Sequence, residues 1–266
     1  MTTSTTPTIA PDPGAERRIP PLGGFNVTFL GLEIRRALRN RRTVVFMVVL
    51  PVVIYASFGR ATGVVPDTDV AYRAYEMVSL ALYGAMLACT SAGSMVAVER
   101  AQGWSRQLRL TPLRPPAYIA MKLATALSLG LVPVALLFIF GSARGVTMST
   151  GTWILSGVAT WLSAIIFAAL GLFMGYLLPS ENVMQFLGPI LGILSIFGGV
   201  IIPISLLGQG LQTFAKFTPV WGVAELAHAP LVGQGVSVAA WANIVIWLVI
   251  FSGGAMMLFR RDTRRV

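Results

Sequence analysis

Apolar residues in this chain gather in long unbroken blocks rather than at the spacing of a soluble core. Six blocks stand out: Thr43 to about Phe58, Met77 to Val98, about Leu123 to Gly141, Trp153 to Leu178, about Val183 to Leu207, and Val236 to Phe259. At about 1.5 Å per residue, roughly 20 helical residues cross the hydrocarbon layer of a bilayer. The pattern therefore predicts an all-α integral membrane chain with six transmembrane helices. The first block is short and leans on flanking arginines that snorkel; the others are long enough, some with tilt.

Ahead of the first block the periodicity changes. Val27, Leu30, Ile34 and Leu38 recur at helical spacing, while Glu33, Arg35, Arg36 and Arg39 occupy other faces. Such a segment is an amphipathic helix lying along the inner membrane surface. Residues 1–25 are rich in Thr, Pro and Gly and hold no apolar run, which predicts a disordered cytoplasmic tail before a transmembrane domain over 26–266. A cleaved signal peptide is not expected, because the first hydrophobic run begins only at Thr43 and has no A-x-A-like exit.

Composition agrees with the blocks. Of 266 residues 55% are hydrophobic and 11% charged, with mean hydropathy +0.75, where a soluble domain carries about a quarter charged residues. The formal charge of +10 could point to nucleic acid, but the arginines stand just outside the apolar blocks. Placed there they set topology and touch anionic membrane lipids. Sixteen of the twenty Lys and Arg fall on the side of the two termini and the Arg100–Lys122 connection; only Arg60, Arg73, Arg144 and Lys216 fall on the other. That asymmetry predicts both termini in the cytoplasm. Cys89, the only cysteine, lies in an apolar block and allows no disulfide within the chain.

Several chemistries find no support. The sequence has no G-x-x-x-x-G-K-[ST] phosphate loop, no metal-ligand spacing of His, Cys, Asp and Glu, and a single histidine, His228. No serine has a plausible base near it in the sequence. The middles of the apolar blocks hold no Asp, Glu, Lys or Arg, which disfavours an ion-driven carrier, since such carriers keep an ionisable group at mid-depth. A backbone-carbonyl sodium site stays open. If the chain moves a cargo, its energy comes from another subunit.

Two segments stand apart. In the connection from Glu99 to Pro116, Gly103 can bend the chain, and Trp104, Leu108 and Leu110 interleave with Arg106, Gln107 and Arg109 before Pro112 ends the segment. This reads equally as a short helix docking into a cytoplasmic partner or as a basic loop against lipid headgroups. From Gly198 to Val232 the chain is too apolar for a free loop, and too interrupted by Pro203, Gly208, Gly210 and Pro219 for a further span. We read it as a helical hairpin dipping into the outer leaflet, with Lys216, Glu225 and His228 facing solvent, in preference to a loose outer loop. The pairs Gly171/Gly175 and Gly188/Gly192 allow close helix approach, either within the chain or in a dimer. Pro51, Pro133 and Pro189 are expected to kink their helices.

Together these features resemble the membrane subunit of exporters in the ABC-2 permease family, over nearly all of residues 26–266. The most specific part is Glu99-Arg100-x-x-Gly103 followed by Arg109-Leu110-Thr111-Pro112-Leu113. The resemblance implies an ATPase-coupling helix comprising Glu99, Arg100, Gly103, Trp104, Arg106, Arg109 and Pro112. It implies a connecting helix bearing Glu33, Arg35, Arg36 and Arg39, and an outer re-entrant hairpin marked by Pro203, Lys216, Pro219 and Glu225. The family often places a second acidic residue soon after the Glu-Arg pair; here Ala101 and Gln102 follow. The resemblance further implies a multi-pass, bacterial plasma-membrane permease without an ATPase site of its own. It would form a homodimer, or pair with a similar permease, on separate ABC nucleotide-binding subunits that carry ATP and Mg. Hydrophobic or amphipathic, drug-like compounds are the expected cargo, with lipid or glycoconjugate export as the alternative and a stand-alone carrier or channel less favoured. By analogy the path would run along the second and fifth helices, past Leu87, Thr90, Met95, Met184, Phe186 and Phe197.

Overall fold

The computed structural model describes residues 27–39, 41–58, 63–66, 68–103, 115–180 and 183–264. The expected tail, and Trp104, Arg106, Arg109 and Pro112 of the basic connection, lie outside the described residues. The first helices are α1 (Val27–Leu38), α2 (Arg41–Phe58), α3 (Tyr72–Ser94) and α4 (Val96–Ala101). Next come α5 (Pro115–Ala143), α6 (Thr150–Ser163), α7 (Ile165–Leu177) and α8 (Val183–Phe197). A 3-10 turn (Ile204–Leu206) leads to α9 (Gln209–Ala215), α10 (Trp221–Val232) and α11 (Val238–Arg264). Among the described residues the fold is all-helical apart from one isolated bridge between Val64 and Ala71.

Among the described residues four helical stretches are long and apolar enough to cross a membrane: Tyr72–Ala101, Pro116–Ala143, Thr150–Leu177 and Val238–Asp262. They coincide with four of the six expected blocks. The first stretch is divided at Met95 and the third at Ala164, where α3 passes to α4 and α6 to α7. α2 covers the first block. α8 covers the start of the fifth, but stops at Phe197 rather than running to Leu207. Gly199 adopts φ +82°, a left-handed turn that side chains disfavour, and the N–H groups of Val200 and Ile201 both fold back onto the Ser195 carbonyl at 3.1 Å. Pro203 follows with no N–H to resume a helix.

α3 is the hub, packing on α5 and α7 most extensively and also touching α2, α6, α8 and α10. In its most apolar stretch the first span is 78% buried, against 28% for the last, so α11 lies at the edge of the bundle. Small residues bring α3 and α7 together. A Cβ at Gly171 would collide with the Thr90 backbone carbonyl, and one at Gly175 with Val96 and Ser94. The Gly171/Gly175 pair therefore serves packing within the chain. Around Gly188, by contrast, space is open.

Candidate functional site

The charged end of the α3–α4 rod is built on two adjacent side chains that point apart. Glu99 is 3% exposed, and three helices converge on its carboxylate. The Lys122 ammonium on α5 donates to Glu99 Oε1 at 2.5 Å and to Glu33 Oε2 on α1 at 2.7 Å. Tyr118 donates its hydroxyl to Glu99 Oε2 at 2.8 Å. Arg36 Nη1 stands 3.8 Å from Glu99 Oε1. Tyr118 and Lys122 are one helical turn apart, as are Glu33 and Arg36, so each helix offers a pair from a single face. Buried charges of this kind hold only when matched, and here one ammonium serves two carboxylates with Arg36 at the rim.

Arg100 turns the other way. Its Nε and Nη2 donate to the two Asp262 oxygens at 3.1 and 3.0 Å, a bidentate pair with α11. Its Nη1 donates to the carbonyls of Gly175 and Tyr176 at 3.2 and 2.8 Å, and the guanidinium lies over the Tyr176 ring. Those carbonyls belong to the last turn of α7, which has no further helical N–H to offer them. Gly103, at φ +74°, then closes α4 through its N–H to the Arg100 carbonyl at 3.0 Å.

Sequence reasoning grouped Glu99 and Arg100 with the residues that contact a partner. In the structure both side chains make contacts inside the chain, Glu99 with α1 and α5, Arg100 with α7 and α11. They anchor the base from which residues 104–114 depart. Lys122, Tyr118 and Asp262 were missed as site residues. The Tyr118–Lys122 spacing was the available signal, hidden because Lys122 read as the last charge before an apolar block. Of the α1 set Glu33 is held by Lys122 and Arg36 stands 3.8 Å from Glu99; Arg35, Arg36 and Arg39 are exposed.

The opposite end of α3 holds the 198–232 segment. Tyr75 donates to the Gly199 carbonyl at 2.8 Å, and its ring stacks on the His228 imidazole with centroids 4.0 Å apart. His228 Nδ1 donates to the Ala224 carbonyl at 2.7 Å, which leaves Nε2 to accept the Ser79 hydroxyl at 2.9 Å. Burial pushes the His228 imidazole down to about 4. The solvent-facing reading thus fails for His228, because its ring fills the seam between α3 and α10. Lys216 is exposed as expected, and Glu225 is half-buried, accepting the Ser237 N–H at 2.7 Å. Pro203 and Pro219 are buried. Asn243 and Trp247 of α11, both unanticipated, hold the segment by its carbonyls: Asn243 Nδ2 donates to Lys216 and Thr218, and Trp247 Nε1 to Phe217. A cavity of about 210 Å³ opens beside Tyr75, Gly199, Trp221, Glu225 and His228.

The residues expected along a path do not converge within one chain. Thr90 is buried in the α3–α7 seam, its hydroxyl donating to the Phe167 carbonyl at 3.2 Å. Leu87, Met95 and Phe197 are half-buried, while Phe186 projects outward at 54% exposure. The Met184 side chain lies outside the described residues.

Comparison with known proteins matches this architecture. The family model described as "ABC-2 type transporter" covers residues 27–229. A relative in Bacillus subtilis (strain 168), named "Putative transport permease YvfS", is 25% identical over 230 residues, spanning 85% of this chain and 90% of its own length. Helices α1 to α10, with the Glu99–Arg100 anchor at one end and the Tyr75–His228 stack at the other, lie almost wholly inside the matched region, and the chain belongs to the ABC-2 type transporter family of membrane permeases.

Proposed function

We propose that this chain is the transmembrane subunit of an ATP-driven exporter that moves hydrophobic or amphipathic, drug-like compounds outward across the plasma membrane. It crosses the membrane six times with both termini inside, α2 and α8 supplying the two shorter crossings, and it works as a homodimer on separate nucleotide-binding subunits. The observation that carries the reading is the divided anchorage at Glu99 and Arg100. A push on residues 104–114 reaches α1 and α5 through one side chain and α7 and α11 through the next. ATP and Mg are held by the partner, whose closure works this lever. Packed interiors pass on such displacements because they are stiff. The outward face of α8, with Phe186, Ile193 and the open Gly188, is the surface offered to a second copy.

The chain, tagged and purified from its own host, should bring down an ATP-hydrolysing subunit, and Arg106→Ala with Arg109→Ala should weaken that capture. Liposomes holding this chain alone should show no flux of a hydrophobic dye. ATP-independent flux from such liposomes would overturn the proposal.

A further inference from the structure

Beside the Glu99 cluster a cavity of about 310 Å³ opens between α1 and the bundle. Its lining away from the charges is largely apolar, with Ala37, Met47, Met95 and Leu129 beside the hydroxyl residues Ser91 and Thr125, and the exposed Arg36 and Arg39 complete it. The Glu33–Lys122–Glu99 cluster makes one wall. Counted together the lining holds three cations against two carboxylates. Lys122 engages both carboxylates and Arg36 stands 3.8 Å from Glu99, which leaves one net positive charge on the arginine side of the cavity. A second hollow, lined by Leu32, Arg35, Arg36 and Arg39, shares that pair. Arg36 and Arg39 are one turn apart on α1 and line both hollows. Among the described residues neither Arg35 nor Arg39 has a carboxylate partner.

The α1 surface around this cavity is mixed. Leu32 and Leu38 are 60% and 44% exposed, next to the exposed Arg35, Arg36 and Arg39. A helix that offers leucines and arginines on its open side is satisfied where hydrocarbon meets phosphate. We infer that this cavity holds an anionic phospholipid, its phosphate between Arg36 and Arg39 and one acyl chain along the Ala37–Met47–Met95–Leu129 lining. Guanidinium groups suit the phosphate because they donate in a planar fork, and the lining offered to a chain is mostly apolar, the Thr125 hydroxyl being spent on the Met121 carbonyl. The lipid mortars α1 to the bundle beside the ion cluster, so the link between α1 and Glu99 depends on the membrane's anionic lipid. Placement in the inner leaflet rests on the orientation proposed above; the binding itself does not, and is read without any transport measurement.

The test is lipid retention. The chain is purified from nanodiscs of phosphatidylcholine doped with phosphatidylglycerol, and bound lipid is counted by native mass spectrometry. We expect phosphatidylglycerol to be retained in preference to phosphatidylcholine. Arg36→Gln and Arg39→Gln should each reduce that preference about fivefold, the effect of one basic residue at an anionic surface. Ala37→Phe keeps the arginines and narrows the cavity, and it should also reduce retention. Equal retention of the two lipids by the wild-type chain, or undiminished preference in both arginine variants, overturns the site. So does full retention by Ala37→Phe, which would place the lipid on the surface, or displacement by glycerol phosphate, which would make this a site for a free anion.

Discussion

The Lys122 ammonium lies 2.5 Å from the Glu99 carboxylate, and both residues are 3% exposed. The same ammonium holds Glu33, so α1, α4 and α5 meet on a single nitrogen. Removing it leaves the buried Glu99 carboxylate with the Tyr118 hydroxyl and an arginine 3.8 Å away at the rim. We expect Lys122→Met to lower stability by about 3–5 kcal/mol, the usual cost of breaking a buried pair from one side. Adding Glu99→Gln should restore part of it. Thermal melting in detergent of the two single variants and the double checks this; a Lys122→Met chain melting with the wild type would refute the anchor.

Arg100 makes four hydrogen bonds to three residues, using its planar fork on Asp262 and its third nitrogen on the end of α7. An ammonium cannot reproduce that set. Arg100→Lys should therefore behave much like Arg100→Ala, each losing about 1–3 kcal/mol. Hydrogen exchange should rise in the last turn of α11 and at the end of α7. Protection retained in the lysine variant would mean charge alone suffices.

Acid should loosen the 198–232 segment. Folding lowers the His228 pKa from 6.5 to about 4, so on acidification the unfolded chain takes up the proton first. The stability linked to this group is whole above about pH 6.5 and drains away as pH falls toward about 4. The melting temperature of the wild-type chain should drop across that window, and His228→Gln should flatten the slope. Identical pH profiles for the two proteins would remove His228 from the account.

The glycine pairs should separate by position. At Gly171 a methyl group meets the Thr90 backbone, which cannot rotate away, so Gly171→Ala should cost about 1–3 kcal/mol or more as overpacking. Gly188 faces open space, and Gly188→Ala should leave the melting temperature unchanged. Gly188→Cys should cross-link to a second copy if α8 forms the dimer contact; a monomer under oxidising conditions would count against that contact.

The anchor was half visible beforehand. Glu99, Arg100 and Gly103 stood out as a motif at the end of an apolar block, and α1 was legible from Val27, Leu30, Ile34 and Leu38. Lys122 was counted only as a topological charge because the apolar block begins at Leu123. In the structure α5 starts at Pro115, two turns earlier, so Lys122 lies within the helix and one turn from Tyr118. The break after Phe197 was signalled by Gly198, Gly199 and Pro203, yet the following apolar residues masked it as continuous span.

What the chain shows on its own is its class: block lengths and their apolar content are properties of consecutive residues, and solvation by lipid acts on each block separately. Which glycines are pressed against a neighbour, and where Glu99, Arg100 and His228 spend their hydrogen bonds, only the tertiary structure decided. Glu33 meets Lys122 across 89 residues, Arg100 meets Asp262 across 162, and His228 meets Ser79 across 149. Such pairings are chosen by the packing of helices that are far apart in the chain, and a buried charge or ring reveals its role only once the group that neutralises or caps it is in place.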